Sequence, residues 1–472
     1  MDNQETSSGK FRTGKVILIS LVAALGGFLF GYDSGVINGT VGALQDAFDS
    51  DEVGTGFNVA SMLLGCAAGA FFAGSISDRI GRRGALLIAA AAFTISAFGS
   101  GIADNSAQFV FFRILGGLAV GGASVIAPAY ISEIAPASIR GRLTTLQQMM
   151  IVLGLFSSFT VNYFIVNFAG GASVVHWLGF DAWRWMFWME LIPATLFFVL
   201  LFFIPESPRY LVAAGQYDRA ESILNNLIPW EPAKAKVQEI QETLERRPSL
   251  RDIINRATNK IYPIVWIGIG IAILQQFTGI NIVFYYGETL WTAAGFELES
   301  ALVTNILTGG VNIVFTIVAI ILMDKVGRRT LLLVGALGQA VALGLLAILF
   351  GMAGVDAEGN LALSQTEAAF SLIFANGFVA FFAVTWGPVM WVLFGEMFPN
   401  QFRGAALAVA GLIHWIANFS VTMTFPIFLE HIGLGFSYAI YAGFGVVAFF
   451  FVKAFIKETK GHTLEEISHR NK

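Results

Sequence analysis

Three ionisable residues sit deep within apolar runs: Asp33, Arg113 and Glu190. A lone charge at the centre of a hydrocarbon layer costs about 2.5–3.5 kcal/mol on insertion scales, so Asp33 and Arg113 are expected to be partners. Pairing holds Asp33 ionised, and withdrawing Arg113 while water is excluded invites a proton onto the acid, which would make the pair a coupling device. The plainer alternative is a permanent salt bridge joining two segments. Neutral amides also recur inside the runs, at Gln148, Gln275, Gln276, Asn281 and Asn312. Each offers a donor and an acceptor, as needed to replace water around a neutral polyol. A kink at Gly279 would turn Gln275, Gln276 and Asn281 toward one cavity. Trp391, after Gly387 and Pro388 that could bend its segment, offers a flat face to an apolar surface of a solute. Each amide could equally make a bond between helices. His414 is the only one of five histidines within an apolar run. It could donate to a hydroxyl, titrate near neutral pH or bond a neighbouring helix.

The elements holding these residues follow from composition. The 472-residue chain is 56% hydrophobic and 13% charged, against roughly 25% charged in a soluble domain. A soluble enzyme is excluded, and an intramembrane one would need a nucleophile with a base or a metal cluster; neither Cys66 nor His414 has evident partners. No metal or redox site is expected, because Cys66 is the only cysteine. The net charge of −4 gives no footprint for nucleic acid. Apolar runs near the ~20 residues needed to cross a bilayer recur along the chain. They fall near 15–38, 57–76, 84–103, 108–128, 143–166, 183–204, 261–286, 300–322, 330–351, 368–394, 405–429 and 434–456, which makes twelve. The first is too long for a signal peptide and lacks a clear cleavage site. With twelve spans, 26 of the 28 Lys and Arg residues fall on one side, leaving only Arg113 and Arg184. By the positive-inside rule, both termini and the long middle loop are expected in the cytoplasm. The loop mixes charges with apolar residues at helical spacing, such as Ile223, Leu224 and Leu227, and is expected to form short helices acting as a tether or a latch.

The chain repeats itself. Asp78-Arg79-Ile80-Gly81-Arg82-Arg83 returns as Asp324-Lys325-Val326-Gly327-Arg328-Arg329, and Glu133, Pro136, Arg140 and Gly141 return as Glu396, Pro399, Arg403 and Gly404. The expected architecture is an all-α polytopic membrane protein with two pseudo-symmetric six-helix halves, 15–204 and 261–456. A cytoplasmic segment 1–14, a helical linker 205–260 and a tail 457–472 complete it. Parallel repeats of this kind place a substrate near the midplane between halves that rock against each other. At the cytoplasmic ends, the arginines can pair with Asp78, Glu133, Glu206, Asp324 and Glu396, bridging helices in one state and parting in the other. Unpaired positive-inside arginines are the alternative.

The paired loops resemble those of the sugar porter family of the major facilitator superfamily. So do Pro205-Glu206-Ser207-Pro208-Arg209, the run Gln275-Gln276-Phe277-Thr278-Gly279-Ile280-Asn281, Gly31-Tyr32-Asp33 and Glu458-Thr459-Lys460-Gly461. The likeness covers nearly the whole chain. It is nearest to bacterial proton-coupled pentose and hexose symporters and more distant to animal facilitative glucose transporters. The resemblance implies a sugar site at Phe30, Gln148, Gln275, Gln276, Asn281, Tyr285, Asn312 and Trp391, to which the residues themselves add His414. It implies a cytoplasmic gate from Asp78, Arg79, Arg82, Arg83, Glu133, Arg140, Glu206, Arg209, Asp324, Arg328, Arg329, Glu396 and Arg403. It implies protons as the coupling ion, with Asp33 titrating and Glu190 a possible third member of the Asp33–Arg113 network. Two departures leave the sugar open: His414 and Leu155 stand where the xylose symporters carry Gln. The function expected is symport of a monosaccharide with protons across a bacterial inner membrane, without a further cofactor and as a monomer in the lipid bilayer. Passive uniport is the nearest rival; a sugar sensor or a drug exporter fits less well.

Overall fold

A computed structural model describes residues 2–227, 232–242, 250–255, 258–355, 360–399 and 401–459. Among the described residues, ten helices are long and apolar enough to cross a membrane. The twelve-span count is reached through two irregularities, each with a local cause. The seventh span is built from three pieces, Pro263–Phe277, Ile280–Tyr285 and Gly287–Ala293. Its first break falls at Gly279, whose φ of 80° suits a residue without Cβ. The eleventh and twelfth spans form one run of 53 residues, Arg403–Phe455, with non-helical backbone at Gly433. An unbroken helix of that length would reach about 80 Å, far beyond a ~30 Å hydrocarbon layer. Instead the chain turns back at Gly433. Gly435 lies against the backbone of Phe350 and Gly351 at one end of the ninth span, Arg328–Met352. Glu458 then reaches the backbone N–H of Arg328 at the other end.

The tenth span also bends, between Gln365–Val384 and Trp386–Met397. Pro388 explains this, since it lacks an N–H and its ring crowds the carbonyl four residues earlier, at Val384. The first helix, Asp2–Val36, begins well before the expected start near residue 15. Hydropathy marks where a helix meets lipid, whereas helical hydrogen bonding extends into the polar segment. The middle segment holds short helices, Pro208–Ala213, Tyr217–Leu227 and Ala233–Glu242. They close a small core of Leu211, Val212 and Ala220, and Leu227 joins the main core.

Helices without a hydrophobic drive to associate pack through small residues. The second span, Glu52–Ile80, presents Gly65 and Gly69 to Gly117 and Gly121 of the fourth, Ser106–Ile134. A Cβ on Gly117 would lie 1.9 Å from the Met62 carbonyl oxygen. This approach matters to the interior because Met62 Sδ accepts a hydrogen bond from Arg113 one turn away (3.1 Å).

The two halves touch toward the face poor in Lys and Arg. Asn38 of the first span donates to the Phe284 carbonyl (2.9 Å), and its Oδ1 accepts from the Glu288 backbone (3.0 Å) and Asn305 Nδ2 (2.7 Å). Gly56 abuts the Met423 carbonyl, and the Phe57 and Phe419 rings meet edge-on at 6.3 Å. We expect Gly117→Ala to lower thermal stability in detergent by an amount typical of overpacking, about 1–3 kcal/mol. An unchanged melting temperature would show that the second and fourth spans are not held at this distance.

Candidate functional site

The buried charges come first, because everything around them is apolar. Asp33 and Arg113 are each 1% exposed and form an ion pair between Oδ1 and Nη1. Arg113 Nη2 also donates to the Asp33 carbonyl (3.2 Å), and the guanidinium lies 5.6 Å from the Phe187 ring centre. Asp33 Oδ2 has no hydrogen-bond partner among the described residues. It faces Gly116, where a Cβ would stand 3.1 Å away. Glu190 lies in the turn between Ala182–Trp188 and Leu191–Leu200. It is buried and within electrostatic reach of both Asp33 and Arg113. The three ionisable residues singled out from the sequence therefore share one interior.

Beside them lies a cluster of neutral amides and aromatic rings. The break at Gly279 brings Gln275, Gln276 and Asn281 together. Asn281 Nδ2 donates to Gln276 Oε1 (2.6 Å), and Gln276 Nε2 donates to Gln275 Oε1 (3.0 Å). Gln275 Nε2 donates to the carbonyl of Trp386, the first residue of the helix after the bend in the tenth span (2.8 Å). Gln276 Nε2 also lies 3.3 Å from His414 Nε2. His414 packs against the Trp391 and Trp415 rings at 5.2 and 5.3 Å, and Phe30 of the opposite half meets Trp415 at 5.6 Å. Trp391 is 41% exposed, six residues before the end of its helix at Met397. Tyr285 is buried and bonds Asn418 (3.4 Å). Gln148 and Asn312 have no hydrogen-bond partner among the described residues. The cluster thus combines amides tied into a mesh with amides left unengaged, beside three aromatic faces.

At the basic face, carboxylates close two matching sets of contacts. Arg82 reaches Asp78 (2.7 Å) and, through two nitrogens, Glu133 (both 3.1 Å). Glu206 accepts from the backbone N–H groups of Arg82 (2.9 Å), Arg83 (3.1 Å) and Ser207 (2.8 Å), and Ser207 donates to Glu133. In the second half Arg328 binds Glu396 (2.9 Å), Glu458 accepts from the Arg328 and Arg329 backbones (2.9 and 3.2 Å), and Thr459 donates to Glu396 (2.6 Å). A carboxylate on the free N–H groups that begin a helix is favoured by charge and dipole together. Gly81 and Gly327, with φ of 89° and 95°, leave the space: a Cβ would fall 2.2 Å from Glu206 Oε2 and 2.7 Å from Glu458 Oε2. Arg83 and Arg329 cap carbonyls at Leu201, Phe202 and Lys453. Arg403 holds the Phe398 carbonyl (3.1 Å). Arg79 and Arg209 are exposed. The side chains of Arg140 and Asp324 lie outside the described residues.

A family model described as "Sugar (and other) transporter" matches residues 19–470. The chain belongs to this family. It is 49% identical to a glucose transport protein of Synechocystis, over 98% of both chains. It is 40% identical to the D-xylose-proton symporter of Escherichia coli, over 97% of this chain and 96% of that one. Among solved structures, the inward open xylose transporter of Escherichia coli superposes with a TM-score of 0.83, covering 96% of this chain and 99% of that one at 39% identity. The form of the proton:xylose symporter bound to 6-bromo-6-deoxy-D-glucose gives 0.78, over 98% and 100%. The protein is a multi-pass sugar transporter of the major facilitator superfamily and not an enzyme.

Sequence reasoning missed Trp415 and Asn418, which complete the aromatic and amide lining, and Asn38 with Asn305, which join the halves. Nothing in their spacing marked them. Glu458 and Thr459 did carry a signal, since they repeat Glu206 and Ser207 after the last span of the other half. Glu206→Gln and Glu458→Gln should each lower thermal stability by about 1.5–3 kcal/mol, as expected for charge-assisted bonds. A loss confined to one of them would break the correspondence between the halves.

Proposed function

We propose that this protein carries a monosaccharide into the cell together with a proton, by alternating access, and that the structure is its inward-facing form. The observation that carries the reading is the buried Asp33–Arg113 pair with Glu190, in a bundle that also holds a cluster of neutral amides and indole rings. Residues 15–204 and 261–456 act as the two rocking halves, with 205–260 between them. The basic face is taken as cytoplasmic, on the positive-inside argument. The conformation is supported by where contacts lie. The ion pairs described above at the basic face join helices of the same half, while the Asn38 bonds join the two halves at the other face.

Phe30, Gln148, Gln275, Gln276, Asn281, Tyr285, Asn312, Trp391 and His414 are proposed to surround the sugar. Gln148 and Asn312 supply free amides, Gln276 exchanges its contacts with Asn281 and His414 for hydroxyls, and Trp391 covers an apolar ring face. Removing Arg113 from Asp33 as the halves rearrange favours the protonated acid, so movement and proton uptake are linked. The arginine–carboxylate sets at the basic face serve as the cytoplasmic gate. The similarity to a D-xylose-proton symporter supports this reading, and passive uniport is the alternative.

In liposomes, an inward proton gradient should drive accumulation of labelled glucose or xylose by the parent protein. Asp33→Asn should lose accumulation while still exchanging sugar. Equal uptake with and without the gradient in the parent would leave a uniporter. Gln276→Ala should raise KM about tenfold, corresponding to loss of about 1.4 kcal/mol of hydrogen bonding, with thermal stability little changed. An unaltered KM would remove Gln276 from the sugar site.

A further inference from the structure

The seal between the halves carries one acid that the transport reading leaves unused. Glu288 stands in the first turn of Gly287–Ala293, where the first, seventh and eighth spans converge. Its backbone N–H is bound by Asn38 Oδ1, which Asn305 also bonds. The join is tight: a Cβ on Gly287 would fall 2.2 Å from Asn305 Oδ1 and 2.6 Å from Asn38 Nδ2. The Glu288 carboxyl takes no part in this mesh. Its Oε2 is shielded from solvent and has no hydrogen-bond partner among the described residues. The titratable groups at this end of the elements packed against it are Asp46 on the helix Val41–Phe48, Glu297 and Glu299 at the head of the eighth span, and Tyr285 and Tyr286 just before it in the chain. The three acids are exposed, and Tyr286 donates to the Thr422 carbonyl (2.9 Å). The basic residues of these spans, Lys10, Arg12 and Lys15 of the first and Lys325 of the eighth, lie at the opposite ends of their helices, so among the described residues no basic side chain stands at this end of them. Glu288 as a whole is half-buried, so one carboxyl oxygen is cut off from water while the other is not. Holding the anion with one oxygen so cut off, without donor or cation, costs more than holding the neutral acid.

We propose that Glu288 is a second proton-binding site of this transporter, filled from outside as the outer seal closes and emptied to the same side as it opens. The inference rests on the alternating-access reading but not on coupling through Asp33. Because the proton enters and leaves on one side, it is not carried across, and the number of protons moved per sugar is unchanged. The effect falls on the conformational equilibrium. The closed seal holds one more proton than the open one, so acid favours closure, by up to about tenfold per pH unit.

Spin labels at Phe168 and Met352, each 80% exposed at the outer ends of the fifth and ninth spans, report the separation of the halves in a Cys66→Ala background. Lowering the pH from about 8 to about 5.5 should raise the population with the short distance in the parent and equally in Asp33→Asn, with Glu288→Gln closed and flat across the range. A cooperative melting transition in detergent, near that of the parent, checks that Glu288→Gln is folded. A second arm needs no change at position 288: closing the seal with a bifunctional cross-linker between cysteines at Phe168 and Met352, in Asp33→Asn, should take up one proton from weakly buffered solution. A pH response preserved in Glu288→Gln, a response abolished by Asp33→Asn alone, or no proton uptake on cross-linking would each overturn the proposal. Distances that never respond to sugar at any pH would instead overturn alternating access itself.

Discussion

A charge in hydrocarbon must be answered by another charge, and Asp33 with Arg113 is where this chain meets that demand. The pair fixes the first span against the fourth, and much of the nearby packing serves it. Gly116 gives Asp33 Oδ2 its space, Phe187 offers its ring to the guanidinium and Met62 Sδ accepts a hydrogen bond from it. The close glycine crossing of the second and fourth spans sets Met62 at that distance. Because one Asp33 oxygen and Arg113 Nε have no partner among the described residues, the pair is not saturated. An incompletely satisfied ion pair is easier to part than a fully bonded one, as a device that must exchange its cation for a proton requires.

The basic face solves a different problem, that of keeping each half rigid while the halves move. Glu206 and Glu458 each clamp two helix-initiating N–H groups, and Glu133 and Glu396 each anchor the arginine beside them. Every such contact ties together helices of one half. The same chemistry occurs twice because the same construction occurs twice. Small shifts at a site between two bodies become large ones at their edges only when the bodies do not deform, and these clamps supply the stiffness.

Much of this was legible in the residues. Hydrophobic run length and the one-sided Lys and Arg gave twelve spans, and the repeat of Asp78–Arg83 at Asp324–Arg329 gave two halves. The sequence also pointed to a break at Gly279, because Gln276 and Asn281 could share a cavity only if the helix yielded there; glycine permits the positive φ that the structure adopts. What stayed hidden depends on distance in three dimensions. Asn38 ends a span in sequence like any other polar residue, yet in space it binds Phe284 and Asn305, more than 240 residues away. Trp415 follows His414 and reads as one more apolar residue, although its ring bridges His414 and Phe30 of the other half. Pairing across the pseudo-symmetric interface leaves no periodic trace, so no pattern in one span announces its partner in the other.

The chemistry of the outer seal differs from that of the basic face for an energetic reason. A transporter that alternates cannot hold one state much more tightly than the other, since moving the populations from 1:99 to 99:1 already requires about 5.5 kcal/mol of differential binding. Buried ion pairs across the seal would make opening costly, because parting them strands two charges. Asn38 instead joins the halves through neutral amide bonds, each worth about 0.5–1.5 kcal/mol net, supported by glycine-to-backbone contact at Gly56 and an edge-on ring pair. Such contacts open by exchanging partners with water. A single carboxyl placed among them then has leverage out of proportion to its size, because its proton is worth as much as the bonds around it.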